Sequence, residues 1–223
     1  MNLPNKITTS RFFITGVFVI VLLIEWQWAT TVACLLFFVG GLSDIADGEI
    51  ARRRNLKTDF GVLMDPLADK IMVCAGFIVL VGMSAKAHPF IMGMPDIPHV
   101  PRWLEVPSQD LLMPAWMVII IVARELAITG LRLLAVSKNV VLPAESIGKR
   151  KTNLQVVSVI SVLVCVSYHH WGDWGPKVFT PQIAGAPWSI WFTLFVTWGA
   201  VLLTGVSGIH YLWRNRDLYL KDM

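Results

Sequence analysis

Between Asp44 and Asp69 the chain reads Asp-Ile-Ala-Asp-Gly-Glu-Ile-Ala-Arg, then eight residues, then Gly-Val-Leu-Met-Asp-Pro-Leu-Ala-Asp. Residues three and four apart share a helix face. Asp44, Asp47, Gly48 and Ala51 therefore fall on one side of one helix, and Gly61, Asp65 and Asp69 on one side of the next. The connection is short, so the helices run antiparallel and their acidic faces can oppose each other across a cleft. Hard carboxylate oxygens in such a cleft suit Mg2+ or Mn2+. Two divalent ions close together can clamp a diphosphate and offset the charge of a leaving phosphate. Gly48 and Ala51 leave room for a ligand near the backbone, Arg52 is placed to pair with phosphate oxygens, and Thr58 can add a hydroxyl contact. Glu49 points off this face and is read as solvated.

The elements that must position these residues are apolar. The 223 residues are 55% hydrophobic with a mean hydropathy of +0.62, which excludes an ordinary soluble domain. Long apolar stretches predict six spanning helices, at about 10–26, 28–54, 61–84, 111–137, 146–168 and 187–213. The expected fold is an all-α integral membrane protein, one transmembrane domain over 1–223. The net charge of +4 and pI near 9.1 could suggest nucleic acid, but the basic residues are distributed by topology. With the N-terminus inside, all but Lys86, Arg102 and Lys177 of the 19 Lys and Arg residues lie at inner ends or inner loops. Both termini and the aspartate hairpin are expected to face the cytoplasm, in a multi-pass protein of the cytoplasmic membrane without a nucleic-acid partner.

Each acid at the centre of a membrane helix costs roughly 2.5–3.5 kcal/mol, so four uncompensated ones would cancel much of the insertion energy of their helices. They must lie near an interface, be neutralised, or both. From Trp28 to Ser43 the second helix rises about 24 Å before Asp44, which puts the site a turn or two inside the inner boundary. A substrate there can keep acyl chains among the membrane lipids while its headgroup enters from the cytoplasm.

The remaining features are read as structural. Cys34, Cys74 and Cys165 sit in apolar runs without ligand spacing and are expected to be reduced packing residues. Phe12 to Ile24 has the length of a signal-peptide core, but cleavage after it would strip Lys6 and Arg11, and it is read as a retained helix. The Pro-rich segment around Pro89 to Pro107 and the Gly- and Pro-rich segment from Gly172 to Pro187 are expected to be plain outer connectors. Trp26, Trp28, Trp171, Trp174 and Trp188 fall at the outer ends, as an interfacial belt would.

The acidic motif resembles the hallmark of the CDP-alcohol phosphatidyltransferases, D-x-x-D-G-x-x-A-R, about eight residues, then G-x-x-x-D-x-x-x-D. Every fixed position is met, by Asp44, Asp47, Gly48, Ala51, Arg52, Gly61, Asp65 and Asp69. Asp44-Ile45-Ala46-Asp47 lacks the aromatic often found between those aspartates. Three flanking runs resemble members that use glycerol 3-phosphate: Asn2 to Thr8, Ala123-Arg124-Glu125-Leu126 with Thr129-Gly130-Leu131-Arg132, and Gly148 to Thr152 followed by Gln155.

The resemblance implies a metal-dependent transferase that moves the phosphatidyl group of CDP-diacylglycerol to the 1-hydroxyl of glycerol 3-phosphate. It implies that Asp44 and Asp65 bridge two Mg2+ or Mn2+ ions, Asp47 completes one, and Asp69 touches the other while taking the acceptor proton. Asn5, Thr8, Gly48, Ala51, Arg52, Thr58 and Gly61 would surround the donor, and the enzyme would be a homodimer. For the acceptor's phosphate, Arg124 and Arg132, eight apart on one helix face, and Lys149 and Lys151 at the next helix start are the candidates. Arg124 lies deepest in an apolar run. The same set would also serve as ordinary positive-inside anchoring, and it does not separate glycerol 3-phosphate from inositol phosphate. The rival readings are a sister enzyme with another acceptor, such as a cardiolipin or phosphatidylinositol phosphate synthase, a membrane prenyltransferase, and a cation or proton transporter.

Overall fold

The computed structural model describes residues 3–24, 26–54, 59–86, 113–138, 140, 146–183, 186–216 and 218. The side chains of 3–8, 44–54, 59–63, 65, 66, 69, 83–86, 146–150 and 186 lie outside that description. The helices are α1 (Leu3–Leu23), α2 (Ala29–Arg54), α3 (Asp59–Lys86), α4 (Ala115–Ser137), α5 (Ser146–Ser167), α6 (Trp174–Phe179) and α7 (Trp188–Arg214). One 3-10 turn, Tyr168–His170, extends α5. Two-residue strands, Gln182–Ile183 and Ala186–Pro187, pair antiparallel ahead of α7.

The six long helices coincide with the six apolar stretches to within a few residues, except that α1 starts at Leu3 rather than near residue 10. Pro4 is tolerated in a first turn, where its missing N–H has no intrahelical partner to lose, so the polar residues before Ser10 continue the helix. Among the described residues two segments are long and apolar enough to cross a membrane, Lys151–His170 and Trp188–Arg214. Within the described side chains, Thr9–Leu23, Ala29–Ser43 and Lys70–Gly82 are further apolar helical segments of α1, α2 and α3.

Apolar residues fill the core, among them Phe18, Phe37, Phe77, Ile121 and Leu163, and unlike in a water-soluble bundle they also cover the outer faces. On α7 the buried face includes Ser189, Thr193, Thr197, Thr204 and Ser207, while Phe195, Leu202, Val206, Ile209 and Trp213 are exposed at spacings of three, four and seven. On α4 the exposed stripe is Ile119, Leu126, Leu133 and Val136, and Glu125 is buried. Contiguous apolar faces of this extent belong in lipid, where small and hydroxylated residues take over the contacts between helices. The α5–α7 contact is of that kind. Ser158 Oγ meets Thr197 Oγ1 at 2.9 Å, Gln155 Nε2 donates to Thr204 Oγ1 at 3.1 Å and Thr193 Oγ1 donates to the Ser161 carbonyl at 3.4 Å.

In the bundle α1 packs against both α2 and α3, α2 against α5, α5 against α7, and α4 between α3 and α7. Phe18 of α1 and Phe37 of α2 meet with ring centroids 5.5 Å apart. A side chain at Gly40 would run into Met72 Sδ at 2.6 Å, and one at Gly76 would meet Phe37 at 3.1 Å and Val159 at 3.2 Å. These two glycines therefore let α2 and α3 approach, with the antiparallel register Gly40 to Met72 and Phe37 to Gly76.

At the end opposite the acidic motif lies an aromatic cap. Trp171 stacks on Trp174 at 5.2 Å, Phe179 on Trp188 at 5.8 Å, and Trp171 Nε1 donates to Thr31 Oγ1 of α2 at 2.9 Å. The segment expected to be a plain connector is thus an ordered cap, with α6 and the strand pair inside it. Gly172 makes the turn possible at φ +69°, a left-handed conformation that costs glycine nothing. Trp188 and Trp191 indoles fasten the cap to the start of α7 through the Val178 and Ile183 carbonyls. All three cysteines are free thiols and Cys165 is buried.

Gly175 has no room for a side chain, because a Cβ there would collide with the Tyr168 carbonyl oxygen, a backbone atom that cannot swing away. Gly175→Ala is expected to lower the melting temperature of the detergent-solubilised protein, at a cost of roughly 1–3 kcal/mol. Gly16→Ala, which meets nothing within 4 Å, is the control and should leave it unchanged or slightly raised; equal melting of the two variants would contradict the rigid cap.

Candidate active site

The acidic motif occupies the facing ends of two helices. Asp44, Asp47, Gly48, Ala51 and Arg52 are on the last turns of α2, and Gly61, Asp65 and Asp69 on the first turns of α3. Continued along both helices, the register of Gly40 with Met72 and Phe37 with Gly76 sets Asp44 level with Asp69 and Asp47 level with Asp65. The side chains of these residues, of Asn5 and Thr8 on α1 and of Lys149 on α5 are outside the described set, as is Thr58 altogether.

Arg11 comes to this end as well. The pairing of Phe18 with Phe37 and of Ile14 with Gly40 puts it level with Ser43 and Asp44. Its side chain is 1% exposed. The sequence reading counts Arg11 among the charges that set topology, whereas the structure buries it in the bundle beside the acid-bearing helix. The signal for this was its position one turn before Thr15, whose hydroxyl donates to the Arg11 carbonyl at 2.8 Å, within an otherwise apolar face.

Of the four candidate acceptor-binding cations, three have described side chains, and the structure brings two of them together. Arg124 Nη1 lies 3.4 Å from Glu125 Oε1, and Lys151 Nζ of α5 pairs with the same oxygen. Gln155 Nε2 also approaches that oxygen, at 3.4 Å. Arg124 Nη2 donates to Ser207 Oγ of α7 at 3.3 Å. Lys70 of α3, the residue after Asp69, donates to Thr129 Oγ1, whose hydroxyl donates to the Glu125 carbonyl at 2.6 Å. The aspartate-bearing helix is therefore tied to α4 one turn from the carboxylate that gathers the cations.

Arg132 shares the α7-facing side of α4 with Arg124, as the eight-residue spacing predicts, but stands about 12 Å further along the axis. Its guanidinium lies over the Tyr211 ring at 5.7 Å, and it is exposed. Glu125, Lys70 and Gln155 received no role from sequence reasoning. Glu125 had a signal: an acid deep in an apolar run is too costly to be incidental. The partners of Lys70 and Gln155 come from helices 30 to 59 positions away, and nothing local marks them.

The acid-bearing ends of α2 and α3 thus share one end of the bundle with Arg11, Lys70, Arg124 and Lys151. The chain belongs to the CDP-alcohol phosphatidyltransferase family, whose model matches residues 1–206. It is similar to a Bacillus subtilis CDP-diacylglycerol--glycerol-3-phosphate 3-phosphatidyltransferase, 32% identical over 96% of this chain and 95% of the relative. Relatives of the same name from Rickettsia bellii, at 29% identity over 94% of this chain and 93% of theirs, and from Salmonella paratyphi A, at 28% over 95% and 93%, match along nearly their whole length. Membership of this family removes the prenyltransferase and transporter readings.

The contact of Arg124 with α7 requires Gly208, where a Cβ would lie 2.6 Å from Arg124 Cγ. Gly208→Ala is expected to push Arg124 off Ser207 and destabilise the protein by roughly 1–3 kcal/mol. Ser207→Ala, which removes only the hydrogen bond, should cost about 1 kcal/mol. Thermal melts compare the two, and a Gly208 variant no less stable than the Ser207 variant would mean that α4 and α7 are not in close contact here.

Proposed function

We infer that this chain transfers the phosphatidyl group of CDP-diacylglycerol to glycerol 3-phosphate, forming phosphatidylglycerophosphate and CMP. The observation that carries the reading is a complete family motif on the α2–α3 pair of a chain that matches a CDP-diacylglycerol--glycerol-3-phosphate 3-phosphatidyltransferase over 96% of its length. The buried cation cluster on α4 and α5 supports an anionic acceptor.

In this reading all six long helices cross the cytoplasmic membrane, both termini face the cytoplasm, and the protein is a homodimer. At about 39 and 42 Å, α2 and α3 exceed the ~30 Å hydrocarbon core, so their acidic ends can reach the inner headgroup region while the tryptophan cap occupies the outer one. Asp44, Asp47, Asp65 and Asp69 supply hard oxygen donors, a set that fits Mg2+ or Mn2+. Two such ions, when bound, would neutralise the diphosphate and stabilise the leaving phosphate.

The residues of the chain do the rest. Gly48 and Ala51 admit the donor headgroup, and Arg52, Thr58, Asn5 and Thr8 hold it beside Gly61. Arg124 and Lys151 receive the phosphate of glycerol 3-phosphate, with Lys149 and Arg132 nearer the cytoplasm along its approach. The acceptor's 1-hydroxyl oxygen forms a bond to the phosphorus bearing diacylglycerol, the bond from that phosphorus to CMP breaks, and the hydroxyl proton passes to the Asp69 carboxylate.

Purified protein supplied with CDP-diacylglycerol should release CMP with glycerol 3-phosphate and not with inositol phosphate, phosphatidylglycerol or serine. Release with one of the others alone would reassign the acceptor. Chelation of divalent ions should abolish release and added Mg2+ or Mn2+ restore it. Asp69→Asn is expected to lose turnover while retaining CDP-diacylglycerol binding, and Arg124→Ala to raise chiefly the KM for the acceptor. Loss of donor binding in the first, or an unchanged acceptor KM in the second, would refute those roles.

A further inference from the structure

Three nitrogens from two helices converge on one carboxylate oxygen. Glu125 Oε1 takes Lys151 Nζ, Arg124 Nη1 at 3.4 Å and Gln155 Nε2 at 3.4 Å. Glu125 is 7% exposed, Lys151 3% and Gln155 2%, and the Arg124 side chain is 12% exposed. Two of the three partner side chains are themselves held by α7, Gln155 through Thr204 at 3.1 Å and Arg124 through Ser207 at 3.3 Å. A carboxylate at this depth requires paired, hydrogen-bonded partners. Arg124 and Lys151 both meet the Glu125 carboxylate, which holds two cations close together at the end of the bundle that bears the acidic motif.

We propose that Glu125 is a positioning residue for the acceptor's phosphate: it holds Arg124 and Lys151 as a fixed pair for an incoming phosphate monoester. This rests on the reading of the chain as a glycerol 3-phosphate transferase. Without the carboxylate, two like charges would face each other in a dry interior and separate. The phosphate would then have to gather its partners itself, and the ordering cost would appear as lost affinity. Glu125 touches neither the donor nor the reacting atoms in this scheme. Its removal should therefore weaken acceptor binding, whereas a merely structural residue would affect both substrates and folding alike.

The test is steady-state CMP release by the full chain in detergent. Glycerol 3-phosphate is varied at saturating CDP-diacylglycerol, and then the reverse. Glu125→Gln keeps the shape and an accepting oxygen but removes the charge. The acceptor KM is expected to rise about tenfold or more with the donor KM nearly unchanged, the pattern of lost binding to one substrate. Glu125→Asp, which restores the charge with a shorter reach, should recover part of the loss. An acceptor KM unchanged in Glu125→Gln, or donor and acceptor KM rising together, would overturn the assignment. If Glu125→Gln does not fold, Gln155→Leu carries the test, with a smaller acceptor-specific rise expected and an equal rise for both substrates counting against it. Wild-type release with a different acceptor only would sink the underlying acceptor reading, whereas wild-type activity with glycerol 3-phosphate and an indifferent Glu125→Gln would sink the Glu125 role alone.

Discussion

A charge inside an apolar bundle must be paired, hydrogen-bonded or close to water, and the polar half of this protein is arranged around that requirement. Glu125 is where it is felt most. The carboxylate draws Lys151 and Gln155 from α5 and Arg124 from its own helix, and the last two reach on to α7. One buried anion thereby fixes how α4, α5 and α7 face one another. Apolar packing, which has little directional preference and no water to escape from in lipid, could not set that register alone.

The same economy of polar contacts divides the molecule along its length. Toward the tryptophan cap the helices are joined by Ser and Thr hydroxyls that bond to one another or to carbonyls, as Ser158 does with Thr197 and Thr193 with Ser161. Such pairs are neutral and self-satisfied, and they offer nothing to an ion. Toward the acidic end the interior carries Arg11, Lys70, Arg124, Glu125 and Lys151, and hydroxyls there serve charged partners, Thr129 for Lys70 and Ser207 for Arg124. Among the described residues the interior is thus neutral at one end and charged at the other.

The helices were legible because their boundaries follow the apolar runs, which serve both the outward faces and the shared core of Phe18, Phe37, Phe77, Ile121 and Val159. The eight motif positions were legible because they are close in sequence. What could not be read was everything decided by contacts between distant segments. Arg124 and Arg132 have the same spacing-based claim to a site, yet one is drawn into a buried cluster by Glu125 and the other lies exposed over Tyr211. Arg11 reads as a topological charge until the register of α1 on α2 places it inside. The segment from Gly172 to Pro187 has the Gly and Pro content of a loop, and it is ordered by indole bonds and ring stacking that no local pattern encodes.

Dividing acid and base between separate helices also suits the chemistry of two anionic substrates. Carboxylates that attract divalent ions for the donor's diphosphate would by themselves repel the phosphate of an acceptor. That phosphate needs cations close by which the aspartates cannot neutralise. On the proposed roles, α4 and α5 supply such cations in Arg124 and Lys151, gathered on the Glu125 carboxylate. The Lys70–Thr129 contact then sets the spacing between the two charge systems through α3 itself, one residue from Asp69. On the proposed roles, a shift of α3 against α4 would alter donor and acceptor placement together, which would make that helix pair the gauge of the distance between the attacking oxygen and phosphorus.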